Sequence, residues 1–351
     1  MKRLALAAFL MVSFLASLAF LACATPAKPK IGLSFSDFRT ERWLRERDQM
    51  SGILAKAGFE VMIEEADQHP ALQNAQIADL VYRGAKVIIA VAEDGESLAG
   101  AVDEAARSGV RVIAYDRLIN SANIAAYVSF DNIDVGRNQA QGVLALRNRG
   151  NFVLLGGSPT DNNARLVRKG QMEVLQPLIN RGDIKIVADR WIANWDADKA
   201  RKAMESIIEE RGGKIDAVVA SNDNTALGAL EAMRAAGLTG KLPISGQDAT
   251  EAGCASIARG ELSVTILKDN RELAPLACAY AIDLARGRAP RDLTPTSLAE
   301  LTGDPTKSGM VPCKFLQVFQ VNKDNLERLV VDSGFQTYEA VYKDLAVPPA
   351  R

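Results

Sequence analysis

Residues 111–120 read RVIAYDRLIN, an apolar run that leads directly into the adjacent charged pair Asp116 and Arg117. This pattern is typical of a strand in a parallel sheet, where helices cover both faces and the strand itself is apolar. In open parallel sheets, ligands bind in the crevice beyond the carboxyl ends of the strands. The stretch therefore predicts a strand that ends by presenting a carboxylate and a guanidinium to a cleft.

The same arrangement recurs along the chain. Apolar runs at 152–155, 217–220 and 243–244 are followed by GGSPTDNN at 156–163, SND at 221–223 and SGQD at 245–248. These segments carry side chains that can both donate and accept hydrogen bonds. One cleft lined by all of them would suit a small polyhydroxy molecule.

The length and composition of the chain limit the possible architectures and partners. A chain of 351 residues exceeds one ordinary core, so two domains are expected. Charged residues make up 24% of the chain and the formal net charge is -1, so no excess of basic residues is present to neutralise a phosphate backbone. Nucleic acid is therefore not predicted as a partner.

Strand-like and helical runs alternate almost throughout, which predicts βαβ units. The fold class is therefore α/β, with two similar doubly wound parallel-sheet lobes joined by several chain crossings that form a hinge. We predict a helix at 41–57 and strands at 30–35, 59–63, 87–91, 112–115, 152–155, 184–188, 217–220, 243–245, 263–267 and 316–321.

The predicted N-terminal lobe comprises residues 25–133 and 269–308, and the predicted C-terminal lobe comprises residues 134–268 and 309–351. The Pro- and Thr-rich tract at 289–312 is compatible with either an ordered hinge or a mobile loop.

Residues 1–24 have the pattern of a cleaved export signal, with a charged start, an apolar run at 4–21 and small residues at 22–24. One alternative is a retained membrane anchor, because the apolar run approaches the ~18 residues that can span a bilayer. Another is lipid attachment to Cys23, which the preceding Phe20 and Leu21 disfavour.

Several kinds of chemistry find no support in the sequence. Cys254, Cys278 and Cys313 show no CxxC spacing, which indicates neither a zinc site nor a disulfide framework, although one bridge is allowed in an oxidising compartment. Cys254 and Cys278 lie in predicted helices among Ala, Leu and Ile, which favours a role as small buried hydrophobic residues. The single histidine, His69, precedes a proline in a predicted loop and lacks a nearby nucleophile motif. Neither GxGxxG nor GxxxxGKS/T is present. We predict no metal and no cofactor.

Asp116 and Asp248 could face each other across the cleft as the paired carboxylates of a glycosidase. However, Asp116 adjoins Arg117, and both Arg42 and Lys268 are placed to approach it. Nearby cations lower the pKa of a carboxyl group and leave it an acceptor of hydrogen bonds rather than a general acid. Hydrolysis is therefore the weaker hypothesis.

Sugar recognition needs planar polar groups for vicinal hydroxyls and a flat apolar face for the C–H groups of the ring. Arg and Asp side chains supply paired donors and acceptors. Trp43 and Trp195 each lie near a predicted strand end or the helix that follows it, beside polar neighbours. Core packing is the alternative role of these tryptophans.

The chain resembles the periplasmic xylose-binding proteins of ABC sugar importers. The similarity rests on the joint order and spacing of several segments, which are SDFRTERW at 36–43, AYDRLI at 114–119, SFDN at 129–132, GGSP at 156–159, DNNA at 161–164, ASND at 220–223 and SGQD at 245–248. It covers nearly the whole chain after residue 24 and implies a type I periplasmic-binding-protein-like fold.

The resemblance also implies which residues bind a monosaccharide. Polar contacts would come from both lobes and from one crossing between them, and two aromatic rings would enclose the sugar: Arg42, Asp116 and Arg117; Asn163, Asn222 and Asp248; Lys268; Trp43 and Trp195.

The resemblance further implies a monomeric, non-enzymatic receptor in the periplasm, which takes up D-xylose and docks on an ABC permease in the inner membrane. Arabinose, glucose or ribose is an alternative ligand, and a chemotaxis receptor is an alternative or additional partner. A sugar-responsive transcription regulator shares this architecture but would need a DNA-binding helix-turn-helix before the first strand, where the predicted export segment stands.

We expect Asp116→Ala or Asp248→Ala to abolish sugar binding and to leave folding intact, because only the ligand would use these acceptors. Calorimetry of the two variants tests this expectation.

Overall fold

The computed structural model describes residues 27–345, so the predicted signal peptide and Cys23 lie outside the described residues. Seven strands form the first sheet in the order β10-β11-β5-β4-β3-β1-β2. Neighbouring strands are parallel except β10 and β11. The strands are β1 (Lys30–Phe35), β2 (Glu60–Glu65), β3 (Ala85–Ala90), β4 (Arg111–Tyr115), β5 (Ala126–Phe130), β10 (Thr294–Ser297) and β11 (Met310–Leu316).

We call this sheet and the helices packed on it the N-terminal lobe. Its helices are α1 (Glu41–Lys56), α2 (Pro70–Tyr82), α3 (Ala99–Arg107), α9 (Asn270–Ala285) and the short α10 (Leu298–Thr302). The central strands are apolar because both faces are covered, and residues 112–115 of β4 are all buried.

The C-terminal lobe is built on a second sheet, in which β7, β6 and β8 are parallel neighbours. Isolated bridges from Val218 to Ile244 and from Ser245 to Val264 extend this sheet toward the antiparallel pair β9 and β12. The elements of the lobe are β6 (Gly150–Gly156), β7 (Ile184–Trp191), β8 (Ala217–Ala220), β9 (Thr265–Leu267), β12 (Phe319–Val321), α4 (Asn132–Leu146), α5 (Asn162–Asn180), α6 (Ala197–Arg211), α7 (Asp223–Ala235), α8 (Glu251–Ala258) and α11 (Tyr338–Tyr342).

Most of the predicted elements are confirmed, and two differ. The predicted strand at 243–245 makes only isolated bridges, consistent with Pro243, which lacks a backbone N–H for a regular ladder. The predicted strand at 316–321 is the end of β11 and the start of β12, which belong to different sheets.

The chain crosses between the lobes at three adjacent places, after β5, after β9 and after β11. The first and third crossings are joined by a hydrogen bond of 3.2 Å from the Asp131 N–H to the Leu316 carbonyl. Strand β11 pairs with β5 through Leu316, so residues 310–316 belong to the N-terminal sheet and not, as predicted, to the C-terminal lobe. Three neighbouring crossings provide the multi-strand hinge that the sequence suggested.

The Pro- and Thr-rich tract at 289–312 contains regular elements. It forms β10, α10 and the start of β11, and β10 pairs with β11 from Thr294–Cys313 to Ser297–Met310. Leu298 and Leu301 of α10 pack into the N-terminal core. The tract is therefore an ordered part of the N-terminal lobe.

Cys254, Cys278 and Cys313 are buried and unpaired among the described residues. The burial of Cys254 and Cys278 agrees with their predicted role. Burial raises the pKa of Cys278 to about 12 and that of Cys313 to about 11. Between residues 27 and 345, no helix is both long and apolar enough to span a bilayer.

Helices α4 and α5 approach each other closely through two glycines. A Cβ atom at Gly136 would overlap the carbonyl oxygen of Val167, and one at Gly170 would overlap that of Ile133. A side chain larger than hydrogen would therefore push the two helices apart.

We expect Gly170→Ala to lower the free energy of unfolding by about 1–3 kcal/mol, because the helix backbones must separate. Gly52→Ala in α1 is the matched control, since a Cβ there meets no atom within 4 Å. The Gly52→Ala variant should be more stable by about 0.5–1 kcal/mol, because alanine favours a helix interior more than glycine does. Urea unfolding measures both; equal effects of the two substitutions would contradict the close helix contact.

Candidate functional site

A pocket lies between the lobes, at the carboxyl ends of strands from both sheets. All nine residues predicted from the sequence line it, together with three that were not predicted to bind. The lining residues are Thr40, Arg42, Trp43, Asp116, Arg117, Asp161, Asn163, Trp195, Asn222, Gln247, Asp248 and Lys268. The fold thus brings the predicted residues together, and their role in binding stays a prediction.

Asp116 forms the centre of a buried charge cluster. Its Oδ2 atom lies 2.9 Å from Arg42 Nη1 and 3.1 Å from Lys268 Nζ. Arg42 also contacts the buried Glu46 at 2.6 Å through its Nε atom. Burial alone would raise the pKa of Asp116, but the charges of Arg42 and Lys268 outweigh it and lower that pKa to about 2. Asp116 is therefore an ionised acceptor at neutral pH and not a general acid.

Asp248 faces the same two cations from the C-terminal lobe at longer range. Its Oδ1 atom is 3.6 Å from Arg42 Nη1 and 4.0 Å from Lys268 Nζ, too far for hydrogen bonds. Within the described residues, this oxygen is buried without a hydrogen-bond partner, as are Arg42 Nη2, Trp43 Nε1 and Gln247 Oε1. Unpartnered buried polar atoms are rare in proteins, and four of them around one pocket indicate a polar ligand.

Asp161 joins residues from the two lobes. Its Oδ2 atom is 3.1 Å from Arg117 Nε and accepts a hydrogen bond of 3.1 Å from Trp195 Nε1. Asp161 was not among the residues predicted to bind, although it begins the segment DNNA at 161–164. Its position as the residue before a helix gave no sign that it would also orient an arginine and a tryptophan.

Arg117 contacts a second buried carboxylate besides Asp161, because Glu93 Oε2 is 3.5 Å from its Nη1 atom. Burial raises the pKa of Glu93 to about 7 against the opposing charge of Arg117. Burial also raises the pKa of Asp161. Arg117 is thus held in place by protein groups before any ligand is considered.

The two predicted asparagines make different contacts. Asn163 donates from Nδ2 to the Asp116 carbonyl at 2.9 Å and to Asp116 Oδ1 at 3.2 Å, which joins the lobes. Asn222 caps helix α7, because its Oδ1 atom accepts from the Thr225 N–H at 2.9 Å. Its side chain therefore serves the helix as well as lining the pocket.

The two tryptophans line the pocket from opposite lobes. The guanidinium of Arg42 lies 4.4 Å from the Trp43 ring centre, and that of Arg117 lies 5.8 Å from it. Trp195 packs on Gly157, where a Cβ atom would overlap its ring. Glycine at 157 is therefore required for the position of Trp195.

Left-handed backbone conformations cluster at the pocket. Asp116 has φ 59°, Asp248 has φ 94°, and Trp195 has φ 54°. The Asp116 carbonyl is held by the hydroxyl of Ser129 at 2.7 Å and by that of Tyr127 at 3.2 Å. Such conformations cost energy for residues other than glycine and concentrate at functional sites.

A second concavity lies on the surface of the C-terminal lobe beside residues 142–147, 240–243 and 320–324. Its charged side chains, Arg147, Lys241, Lys323 and Asp324, do not form a buried cluster. The interlobe pocket is therefore the stronger candidate for a ligand site.

A family described as periplasmic binding protein domain matches residues 31–289. The chain is 41% identical to the D-xylose-binding periplasmic protein of Haemophilus influenzae over 313 residues, covering 89% of this chain and 92% of that protein. It is also 41% identical to the D-xylose-binding periplasmic protein of Escherichia coli over 306 residues, covering 87% and 90%.

The fold is similar to that of an ABC transporter solute-binding protein from Clostridium phytofermentans solved with bound β-D-glucose. The TM-score is 0.79 at 29% identity, over 89% of this chain and 99% of that one.

We expect Glu93→Gln to weaken the pH dependence of stability. The folded-state pKa of about 7 lies above the ordinary value of 4.5, so the folded chain binds more protons between these pH values. Stability therefore falls as the pH rises from about 4.5 to about 7, and glutamine removes this loss. Urea unfolding at pH 5 and pH 8 measures the difference.

Glu209→Gln, on the exposed surface of α6, is the control and should follow the unsubstituted protein. Asp223, whose pKa burial also raises to about 7, is present in all three proteins, so the dependence should weaken without vanishing. If the pH dependence of stability is unchanged in Glu93→Gln, the pKa of Glu93 is not raised in the folded protein.

Proposed function

The chain belongs to the periplasmic binding protein family, and we propose that it is the receptor that captures D-xylose between its lobes and delivers it to an ABC importer. The observation that supports this function is the ring of unpartnered polar atoms around the interlobe pocket, bordered by two tryptophans. The D-xylose-binding relatives favour xylose among the aldoses.

The charged residues of the pocket suit vicinal hydroxyl groups. An arginine donates to two adjacent hydroxyl oxygens, and a carboxylate accepts from two hydroxyl hydrogens. Arg42 Nη2 and Asp248 Oδ1 have no hydrogen-bond partner among the described residues, so a sugar can bind both without breaking a protein contact. Asp116, in contrast, already contacts Arg42 and Lys268, so it would accept hydrogen bonds from the sugar while keeping both cations.

Binding by lobe closure follows from where these groups are attached. Arg42 and Asp116 belong to the N-terminal lobe, Asn163 and Asp248 belong to the C-terminal lobe, and Lys268 lies at a crossing. A sugar that contacts both sets stabilises the arrangement in which the lobes meet, and the three crossings would act as the hinge. The closed receptor would then dock on a permease.

The available interactions are sufficient for a transport receptor. Micromolar affinity corresponds to about 8 kcal/mol. Hydrogen bonds to charged groups contribute about 1.5–3 kcal/mol each, so several of them with aromatic contacts reach this value after the cost of closure.

Receptor function without catalysis agrees with the charge state of the pocket. A glycosidase would need one protonated carboxylic acid beside a second carboxylate. Asp116 is held ionised by Arg42 and Lys268, which removes it as the acid. The proposal therefore assigns Asp116 and Asp248 to hydroxyl recognition.

We expect one-to-one, micromolar binding of D-xylose to the exported chain, with the sugar recovered unchanged. Isothermal calorimetry against xylose, arabinose, ribose, glucose and galactose, with product analysis of the same samples, measures this. Tighter binding of another aldose would correct the ligand, and absence of binding to all five sugars would contradict the function.

We expect Asp248→Asn to raise the Kd for the sugar about thirtyfold or more, because two hydrogen bonds lose their charge. Asparagine keeps the shape of aspartate and tolerates the positive φ of this position, which alanine does not. Asp198→Ala on the exposed surface of α6 is the control and should bind normally. Unchanged affinity in Asp248→Asn would remove this residue from the site.

The premise that only the ligand uses Asp116 as an acceptor is wrong, and we now expect Asp116→Ala to weaken folding. Asp116 pairs with Arg42 and Lys268, so its removal leaves two buried cations without their shared partner. Breaking a buried pair in this way typically costs about 3–5 kcal/mol. Loss of binding in that variant could therefore reflect loss of stability.

A further inference from the structure

Three consecutive residues at the start of helix α5 each bond a different group of the N-terminal lobe. Asp161 pairs with Arg117 at 3.1 Å, and Asn163 donates to the Asp116 carbonyl at 2.9 Å. Between them, Asn162 donates from Nδ2 to the carbonyl oxygen of Leu301 at 2.6 Å. This turn therefore carries three of the contacts between the lobes.

Asn162 differs from its two neighbours because it does not line the pocket. Its side chain turns instead toward the last turn of α10, where backbone carbonyls lack partners within the helix. The residue is only 9% exposed, so the bond is shielded from water. Asn162 is thus placed to influence ligand binding through the contact between the lobes.

The acceptor, Leu301, belongs to the Pro- and Thr-rich tract and lies beyond the residues 31–289 matched by the family. Leu298 and Leu301 are 3% and 5% exposed, so α10 is anchored in the N-terminal core. Lys307 Nζ reaches Glu96 at 2.6 and 2.7 Å and ties the following loop to the same lobe. The Leu301 carbonyl is therefore presented on a fixed support.

We propose that Asn162 and the Leu301 carbonyl form a clasp that holds the lobes together over the bound sugar, and that Asn162 is a positioning residue that sets how slowly the sugar leaves. This inference rests on the proposed receptor function. The tract at 289–312 then has a role, because it carries Leu301, whose carbonyl is the acceptor of the clasp.

The clasp should act on dissociation more than on association. The bond joins groups on separate lobes, so it forms only when the lobes meet and must break before a closed pocket opens. A contact that forms after encounter changes the dissociation rate, while the association rate varies less. One buried hydrogen bond corresponds to about a tenfold change in that rate.

Asn162→Asp provides the sharpest test. Aspartate has the shape of asparagine, but its oxygen would face the Leu301 carbonyl oxygen and repel it. A negative charge in the first turn of a helix is favourable, so α5 itself should not be weakened. Asn162→Ala removes the bond without adding charge near Arg117, and both variants should change in the same direction.

Asn180→Ala is the matched control, because Asn180 ends the same helix and is exposed. Stopped-flow mixing of each full-length protein with D-xylose gives association and dissociation rates, and thermal unfolding without sugar gives the stability of the free protein. We expect about tenfold faster dissociation in both Asn162 variants, with association changed less than threefold and a free-protein Tm close to that of the control.

The possible outcomes separate this inference from the proposed function. If the unsubstituted protein binds none of the sugars, the function fails. If it binds, and both Asn162 variants release sugar at the rate of Asn180→Ala, the clasp is overturned. Faster dissociation that appears only together with a lower free-protein Tm would also overturn it, because Asn162 would then support the fold rather than closure.

Discussion

The buried carboxylate of Asp116, shared by Arg42 and Lys268, is the interaction on which the cleft depends. Each of these ions would be costly to bury alone, so the three must remain together or be compensated by a ligand. The cations contact Asp116 at 2.9 and 3.1 Å but leave Asp248 at 3.6 and 4.0 Å. The cluster is thus stable in the N-terminal lobe and incomplete toward the C-terminal lobe, and a polyol between them would complete it.

Much of this arrangement was predictable, because parallel strands align their carboxyl ends. An apolar run followed by polar residues fixes both the strand and the edge where its last side chains lie, as β4 and Asp116 illustrate. Asp161 was missed because its contact with Arg117 depends on how the two lobes meet, and its contact with Trp195 joins segments 34 residues apart in the C-terminal lobe. No local pattern encodes either contact. The boundary at 309 failed for a similar reason: β11 pairs with a strand about 185 residues earlier, and this non-local pairing leaves little local sequence signal.

Two of the contacts between the lobes have different consequences. The contact from Asn163 to Asp116 lies at the pocket and involves groups that the proposed sugar would also bind. The contact from Asn162 to Leu301 lies outside the pocket and is independent of ligand chemistry. The first can therefore contribute to selectivity and the second to residence time.

The most direct test of the central claim is a crystal structure of the protein grown with D-xylose. We expect one sugar ring between Trp43 and Trp195, with hydroxyl groups bonded to Asp248 Oδ1 and Arg42 Nη2, which lack partners among the described residues. Asp116 should still contact Arg42 and Lys268. A sugar bound outside this pocket, or one in it that leaves those two atoms unpartnered, would show that the pocket does not recognise the sugar in this way.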